Sequence, residues 1–333
     1  MSQWVHEQQT LVIVTETLDD LPAQWLAQQV EMIRCPTDDP HFPELLAQAQ
    51  GLIVRTYTLV NQVLLAKAPR LKVVGRGGVG LDNIDVPACR SRGIEVVYTP
   101  DANTQAVVEY VLGLMLDVYR PRPVMATRID ATQFHQVRKI EVGKQIDELT
   151  LGVVGFGRIG KRLGRAAAAL GMKVLVTDLL PEATLRDQVT QMPGGMYSYD
   201  FVPASKLYAE ADIITIHVDG RAENRHMINK EVLAQLKPTC LFINAARGFL
   251  IDNHALATWA KAHSQARVLL DVHEPEPPPA DYPFYDLPNV RLYAHLASRT
   301  HTATQNMSWV VRDVVAVLQG LRPVNPAPKE MDK

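Results

Sequence analysis

Three segments in the second half of the chain carry side chains suited to moving a proton beside an anion. Arg247 stands in Ile243-Asn244-Ala245-Ala246-Arg247-Gly248, just past a hydrophobic run. The segment Asp271-Val272-His273-Glu274-Pro275-Glu276-Pro277 follows another such run and offers two glutamates and an imidazole. His295 ends Leu292-Tyr293-Ala294-His295, past a third. An imidazole has an unperturbed pKa of ~6.5 and carries a proton in either direction. A carboxylate on its far nitrogen fixes the tautomer and stabilises the imidazolium. A guanidinium grips a carboxylate through two parallel hydrogen bonds and polarises a neighbouring oxygen. Singly, each has a plainer reading, since a histidine at a strand end is usually a structural hydrogen-bonder and a lone arginine a surface charge. Together they describe a proton-transfer centre, with the acid open between Glu274 and Glu276 and the base between His273 and His295.

A second constellation binds rather than reacts. Gly155, Gly157 and Gly160 give G-x-G-x-x-G directly after the apolar run Leu151 to Gly155 and at the opening of a helical pattern, Arg158 to Leu170. The first glycine permits a tight turn, the second lets a pyrophosphate approach the backbone, and the third allows the helix to pack closely on the strand. The amides near Arg158 and Ile159 then face the anion. Asp178 ends the next run, Lys173 to Asp178, where a carboxylate bonds ribose hydroxyls and repels a 2′-phosphate. NAD is therefore expected over NADP. A glycine turn alone is weak evidence, and the plainer reading is a packing turn with a surface aspartate. The strand–helix–strand context argues against that reading.

These residues need strand ends to stand on, and the chain supplies them. Continuous runs rich in Val, Ile and Leu lie at Leu11 to Val14, Gly51 to Val54, Leu71 to Gly75 and Glu95 to Tyr98. More follow at Leu151 to Gly155, Lys173 to Asp178, Asp212 to His217, Cys240 to Ala245, Ala266 to Val272 and Val290 to Ala294. Continuous rather than alternating runs read as parallel strands covered on both faces, and helical patterns between them give an α/β protein. The runs form two sets, one before residue ~100 and one after ~150. Long helices are expected at Thr104 to Arg120, behind the turn Pro100-Asp101-Ala102-Asn103, and at Thr300 to Leu318. Both are suited to carrying the chain between domains.

Bulk properties narrow the class. With 333 residues, two domains are the expectation. Lys plus Arg number 34 and Asp plus Glu 36, so the formal charge of −2 argues against a nucleic-acid or membrane-surface partner. Cys35, Cys89 and Cys240 are odd in number and lack CxxC spacing, so neither a disulfide framework nor a metal site is expected and a reducing, cytoplasmic setting fits. Met1 to Thr10 is polar without a basic segment leading into an apolar core, and no signal peptide or membrane span is expected. The tail after Gly320, with Pro323, Pro326, Pro328 and a charged end, reads as frayed.

Over nearly its whole length the chain resembles the D-2-hydroxyacid dehydrogenase family. The resemblance rests on four ordered motifs: Val74-Gly75-Arg76-Gly77-Gly78-Val79-Gly80-Leu81-Asp82-Asn83-Ile84-Asp85, the mid-chain glycine motif, Asn-x-x-Arg-Gly at Asn244, and Asp-Val-x-x-x-Glu-Pro at Asp271. It implies two doubly wound parallel-sheet α/β domains, a Rossmann dinucleotide-binding domain (104–298) inserted into a flavodoxin-like substrate domain (1–103 and 299–333). It implies an oxidoreductase that passes a hydride between NAD and a small D-2-hydroxy or 2-keto acid, usually as a homodimer. Arg247, Glu276 and His295 are the catalytic residues it implies; Glu276 is preferred to Glu274 because its place before Pro277 matches the family segment Asp-Val-x-x-x-Glu-Pro. His217, Val218 and Ala245 would line the cofactor and Asp271 would meet its carboxamide. Amides of Gly78, Val79 and Gly80 would cradle the substrate carboxylate.

Arg55 and Arg76 bear on the choice of acid. The branch of the family acting on D-3-phosphoglycerate has arginines at both matching positions, which implies a doubly anionic substrate, with a third cation from Arg138 or Lys139. The plainer reading makes both arginines rim charges. Ala294, Leu296-Ala297-Ser298, Asp219-Gly220, Phe249 and Val108 depart from the family pattern, so an unusual substrate pocket is expected. The chain ends soon after its last long helix, so control through a serine-sensing regulatory domain is not expected. A different class sharing the resemblance is the NAD(H)-sensing binding protein of the C-terminal-binding corepressor type. A formate- or phosphite-oxidising relative is a weaker third.

Overall fold

The apolar runs become strands, and the computed structural model, which describes residues 10–122, 124–140, 143–190 and 198–329, arranges them in two sheets. The first contains β1 (Leu11–Val14), β2 (Glu31–Arg34), β3 (Gly51–Val54), β4 (Val73–Arg76) and β5 (Glu95–Tyr98) in the order β2-β1-β3-β4-β5. Every ladder is parallel, and this is the flavodoxin-like doubly wound order. The second contains β6 (Thr150–Val154), β7 (Lys173–Thr177), β8 (Asp200–Phe201), β9 (Ile213–Ile216), β10 (Leu241–Asn244), β11 (Arg267–Leu270) and β12 (Val290–Leu292). Its order is β12-β11-β10-β9-β6-β7-β8, again all parallel. Counted within the sheet this is a Rossmann order with one further strand at an edge.

The chain divides into two compact units, one of residues 1–103 with 298–333 and one of residues 104–297. Each has its own core, because a parallel sheet must bury both faces. β1, β3, β9 and β10 are buried at every residue. In the second unit, the helix Thr104–Tyr119 lays Val107, Val111, Leu114 and Met115 into a cluster with Leu163 and Phe156.

The structure departs from the sequence-based expectation in four places. β2 and β8 were not anticipated: β2 has charged ends and is only partly buried, and β8 is two residues at a sheet edge. The single helix expected over Thr300 to Leu318 is two, His301–Ser308 and Val311–Leu318. At the break the Val310 amide reaches back only three residues to Met307, which tightens the turn, and the Trp309 ring sits edge-on to Trp25 at 6.2 Å.

The tail is tied down rather than frayed. Asn325 accepts from the Tyr98 amide, the Ala327 amide donates to Val96, and the buried Asp313 carboxylate takes the amides of Val324 and Asn325. The polar start (residues 1–9) and the final charged residues (330–333) lie outside the described residues. Among the described residues no helix is long and apolar enough to cross a membrane.

Candidate active site

The glycine motif folds as a tight strand-to-helix turn. β6 leads through Gly155 into the helix Arg158–Ala169. Gly155 has φ +90°, and a Cβ at Gly160 would stand 2.1 Å from the Gly155 carbonyl oxygen, so no other residue type fits there. A Cβ at Gly157 would meet only open space, leaving a concavity over the helix start. The first intrahelical bond runs from the Lys161 amide to Gly157. The amides of Arg158, Ile159 and Gly160 thus lack intrahelical acceptors, and the helix start carries partial positive charge. Asp178 follows β7, and its carboxylate accepts from the Phe156 amide at 2.6 Å and the Leu180 amide at 2.9 Å, which pins it to the turn.

His217 completes this face. Its Nε2 shares a 3.0 Å hydrogen bond with Thr215 Oγ1, while its buried Nδ1 meets no partner among the described residues. Burial pushes its pKa down to about 3, so the ring is neutral at physiological pH. Val218 packs against the Gly155 turn, and Ala245 lies partly buried past β10. An orphaned ring nitrogen, an open glycine concavity and a pinned carboxylate fit a dinucleotide.

The candidate proton-transfer residues follow three adjacent strands, β10, β11 and β12. His295 Nδ1 lies 3.0 Å from Glu276 Oε2. Burial raises the Glu276 pKa, but the His295 hydrogen bond and charge, helped by His273 and Arg247, outweigh it and hold the carboxyl below its usual range. An ionised carboxylate can only accept, so Nδ1 carries the hydrogen and donates it. Nε2 is left as the nitrogen that can take a proton. Because the folded pKa is depressed, this pair stabilises the protein above the ordinary carboxylate range, and the gain is lost as pH falls through the folded value. Glu276→Gln removes that dependence. Thermal melts of the wild type from about pH 6 to 3 should fall more steeply than those of E276Q. Parallel curves would disprove the coupling.

The two residues left open by the motif reading do other work. Glu274 pairs with Arg225 at 3.2 Å. His273 is buried, and its Nε2 donates to the Tyr293 carbonyl at 2.6 Å, which ties the acid-bearing segment to the end of β12.

Arg247 follows β10 on a braced turn. The Asn244 side chain, fully buried, donates to the Arg247 carbonyl at 2.8 Å and accepts from the Ala246 amide at 3.0 Å. That brace is the physical content of Asn-x-x-Arg-Gly. Gly248 is pressed against the neighbouring segment: a Cβ there would lie 2.0 Å from the His273 carbonyl oxygen. The arginine segment and the glutamate segment therefore touch backbone to backbone.

Asp271 is 1% exposed. Its carboxylate accepts from the Leu296 amide at 2.8 Å, the Ala297 amide at 2.9 Å and the Tyr110 hydroxyl at 3.0 Å. Three of about four acceptor sites on a carboxylate are thus engaged within the chain, leaving capacity for one more donor. Of the departures from the family pattern, Leu296 is exposed and Phe249 packs on the core with Arg225 over its ring. Asp219 is held by Arg221 and Asn224.

In the other unit, β4 ends at Arg76, whose guanidinium folds back over its own loop. It donates to the Gly77 carbonyl at 2.8 Å and fills the space where a Gly78 Cβ would be. The Gly78 amide donates to the Arg76 carbonyl at 2.8 Å. That removes it from the expected cradle, which would rest on Val79 and Gly80. Arg55 follows β3 on a loop whose four amides, 55 to 58, all donate to the Glu16 carboxylate. Its guanidinium is largely buried and reaches Thr17 at 3.4 Å. Burial, and then the charge of Arg299, lower its pKa, so two cations share one neighbourhood. Arg138 and Lys139 belong to the second unit, at the exposed end of the helix Ala131–Arg138.

Three candidate residues escaped the sequence reading. Lys161, four residues after Gly157, has its pKa lowered by burial and then by the charge of Arg158, and it adds a cation beside the glycine turn; its spacing could have revealed it. Arg299 lies four residues past His295, just beyond the Leu296-Ala297-Ser298 stretch, and no motif marks it. Tyr110 carried no signal, because its partner is distant in sequence.

Residues 112–297 match the family described as D-isomer specific 2-hydroxyacid dehydrogenase, NAD binding domain. The chain is 32% identical to D-3-phosphoglycerate dehydrogenase of Synechocystis sp. over 94% of its own length and 56% of the relative's. It thus spans about half of such relatives. It is 34% identical to (S)-sulfolactate dehydrogenase of Chromohalobacter salexigens, covering 93% of this chain and 99% of that one. Among solved structures, Aquifex aeolicus D-lactate dehydrogenase complexed with NAD and lactic acid superposes with a TM-score of 0.77 at 25% identity, covering 93% of this chain and 96% of that one.

Proposed function

The chain belongs to the D-isomer specific 2-hydroxyacid dehydrogenase family, and from that premise we propose that it oxidises or forms a D-2-hydroxy acid bearing a second anionic group. The observation that carries the chemistry is the 3.0 Å contact between His295 and Glu276. In the oxidising direction His295 Nε2 takes the hydroxyl proton, and Glu276 stabilises the imidazolium that forms. Arg247 holds the substrate carboxylate and polarises the C2 oxygen as it becomes a carbonyl. NAD, when bound, supplies the acceptor for the hydride leaving C2. Gly155, Gly157, Arg158, Ile159 and Gly160 would hold its pyrophosphate, Asp178 its ribose, and His217, Val218, Ala245 and Asp271 its nicotinamide half.

The second anion is a phosphate, sulfonate or carboxylate met by Arg55 and Arg76, with Arg299 in support. Arg55 is desolvated by burial and feels the charge of Arg299, and a bound anion would offset both costs. A homodimer is part of the same reading: the helix Ala131–Arg138 buries none of its residues and leaves Phe134 exposed, a face suited to a second copy. Cytoplasm is the proposed location, in keeping with three buried free thiols.

A panel of D-hydroxy acids with NAD, and of 2-keto acids with NADH, tests this. Acids with a charged tail should exceed lactate and glycerate by about 100-fold in kcat/KM. A preference for uncharged tails would overturn the second anion. Cofactor binding without turnover of any acid would point to an NAD(H)-sensing binding protein instead.

A further inference from the structure

The base His295 stands on a strained turn. Its φ is +56°, in the left-handed region that few residues other than glycine adopt. Something must hold it there, and the bonds that do so converge on Asp271. The His295 amide donates to the Asp271 carbonyl at 2.8 Å, and the next two amides, Leu296 and Ala297, donate to its two carboxylate oxygens. The backbone entering and leaving the base is thus anchored on one buried aspartate.

The aspartate's own orientation depends on a fourth group. The Tyr110 hydroxyl, from the helix Thr104–Tyr119, donates to Asp271 Oδ1 at 3.0 Å, on the oxygen that also takes the Leu296 amide. The Tyr110 ring is fixed in turn: it sits edge-on to Tyr293 at 6.1 Å, two residues before the base. One side chain therefore grips the His295 turn twice, through the ring on the strand end before it and through the hydroxyl on the anchor behind it.

We propose that Tyr110 is a positioning residue for His295, its hydroxyl completing the Asp271 anchor on the turn that presents the base. It does not touch the reacting atoms. It acts by keeping Nδ1 of His295 on Glu276, and so Nε2 aimed at the substrate. This rests on the reading of His295 as the base.

The test is Tyr110→Phe in the full chain. The ring and its contact with Tyr293 stay, and only the hydroxyl goes. The expected result is a fall in kcat of about tenfold, since small misplacements of a catalytic group are costly. The acid's KM should change by less than about twofold, because the hydroxyl does not hold the substrate, and NAD affinity, measured by fluorescence titration, should fall less than kcat does, because the hydroxyl reaches the cofactor only through Asp271. Amide hydrogen exchange at Leu296 and Ala297 should rise about tenfold or more, while that of β6 stays unchanged.

Tyr110→Leu, which also removes the ring, should lower kcat further. Unaltered kcat and unaltered exchange at 296 and 297 in Y110F would overturn the proposal. A fall in thermal stability with kcat intact would also overturn it, by reducing Tyr110 to packing. Exchange needs no substrate, so a wild type inactive on every acid would defeat the proposed reaction while the anchoring role was still decided.

Discussion

His295→Ala should lower kcat by about 1,000-fold or more while leaving NAD affinity within a few-fold of the wild type. The imidazole is the group whose Nε2 is left to take a proton, because Glu276 engages Nδ1. The binding turn at Gly155–Gly160 lies at the start of β6's following helix, away from the β12 end that carries the base. Alanine brings a second effect, since residue 295 has φ +56° and a side chain without local polar contacts pays about 1 kcal/mol or more there.

His295→Asn separates the two effects. Asparagine tolerates the left-handed region and offers an amide to Glu276, yet has no titrating nitrogen. Both variants should lose the same activity, and the asparagine form should melt higher. Turnover in either variant above about a tenth of the wild type, read at the nicotinamide absorbance band, would remove His295 from the role of base.

Gly248→Ala should damage stability and turnover together. The added Cβ would stand 2.0 Å from both the carbonyl carbon and the oxygen of His273 and 2.7 Å from the Glu274 nitrogen. All three are backbone atoms, so no side chain can swing aside. Relief needs the two segments to part by about 1 Å, and overpacking of this kind costs about 3 kcal/mol. The expected loss of melting temperature is roughly 10 °C.

The parting also moves Glu276 away from Arg247. A shift of that size lowers kcat by about 100-fold even where the protein stays folded, as it should at low temperature. NAD affinity is the control: it should persist in the folded variant. A G248A protein with the wild-type melting point and kcat would show that the two segments are not in the contact described.

Much of this was legible in the sequence, because the residues concerned lie beside the elements that position them. Gly155, Gly157 and Gly160 announce a binding turn through steric need alone, and Asp178 is placed by the length of the strand–helix–strand unit. The motif Asn-x-x-Arg-Gly encodes a local brace, since Asn244 bonds the backbone two and three residues on. Glu276 could be chosen over Glu274 only through the resemblance, because both follow the same strand.

What stayed hidden has a common cause in sequence distance. Tyr110 meets Asp271, and Arg55 shares its surroundings with Arg299, across separations no local pattern marks. The tail hides its anchor for the same reason: Pro323, Pro326 and Pro328 suggest a loose end, while the partner that fastens it, Asp313, sits inside a helix and looks like a surface charge. The broken helix at Trp309 was missed because apolar periodicity continues unbroken across it.

Base, acid and arginine all issue from β10, β11 and β12, three neighbours in a single sheet, whereas Arg55, Arg76 and Arg299 belong to the other folding unit. On the proposed reading, the residues for oxidation and those for choosing an acid are therefore carried by different folding units. Substitutions can accumulate on one without retuning the other. A lineage built this way can exchange one tail group for another while its proton relay goes untouched.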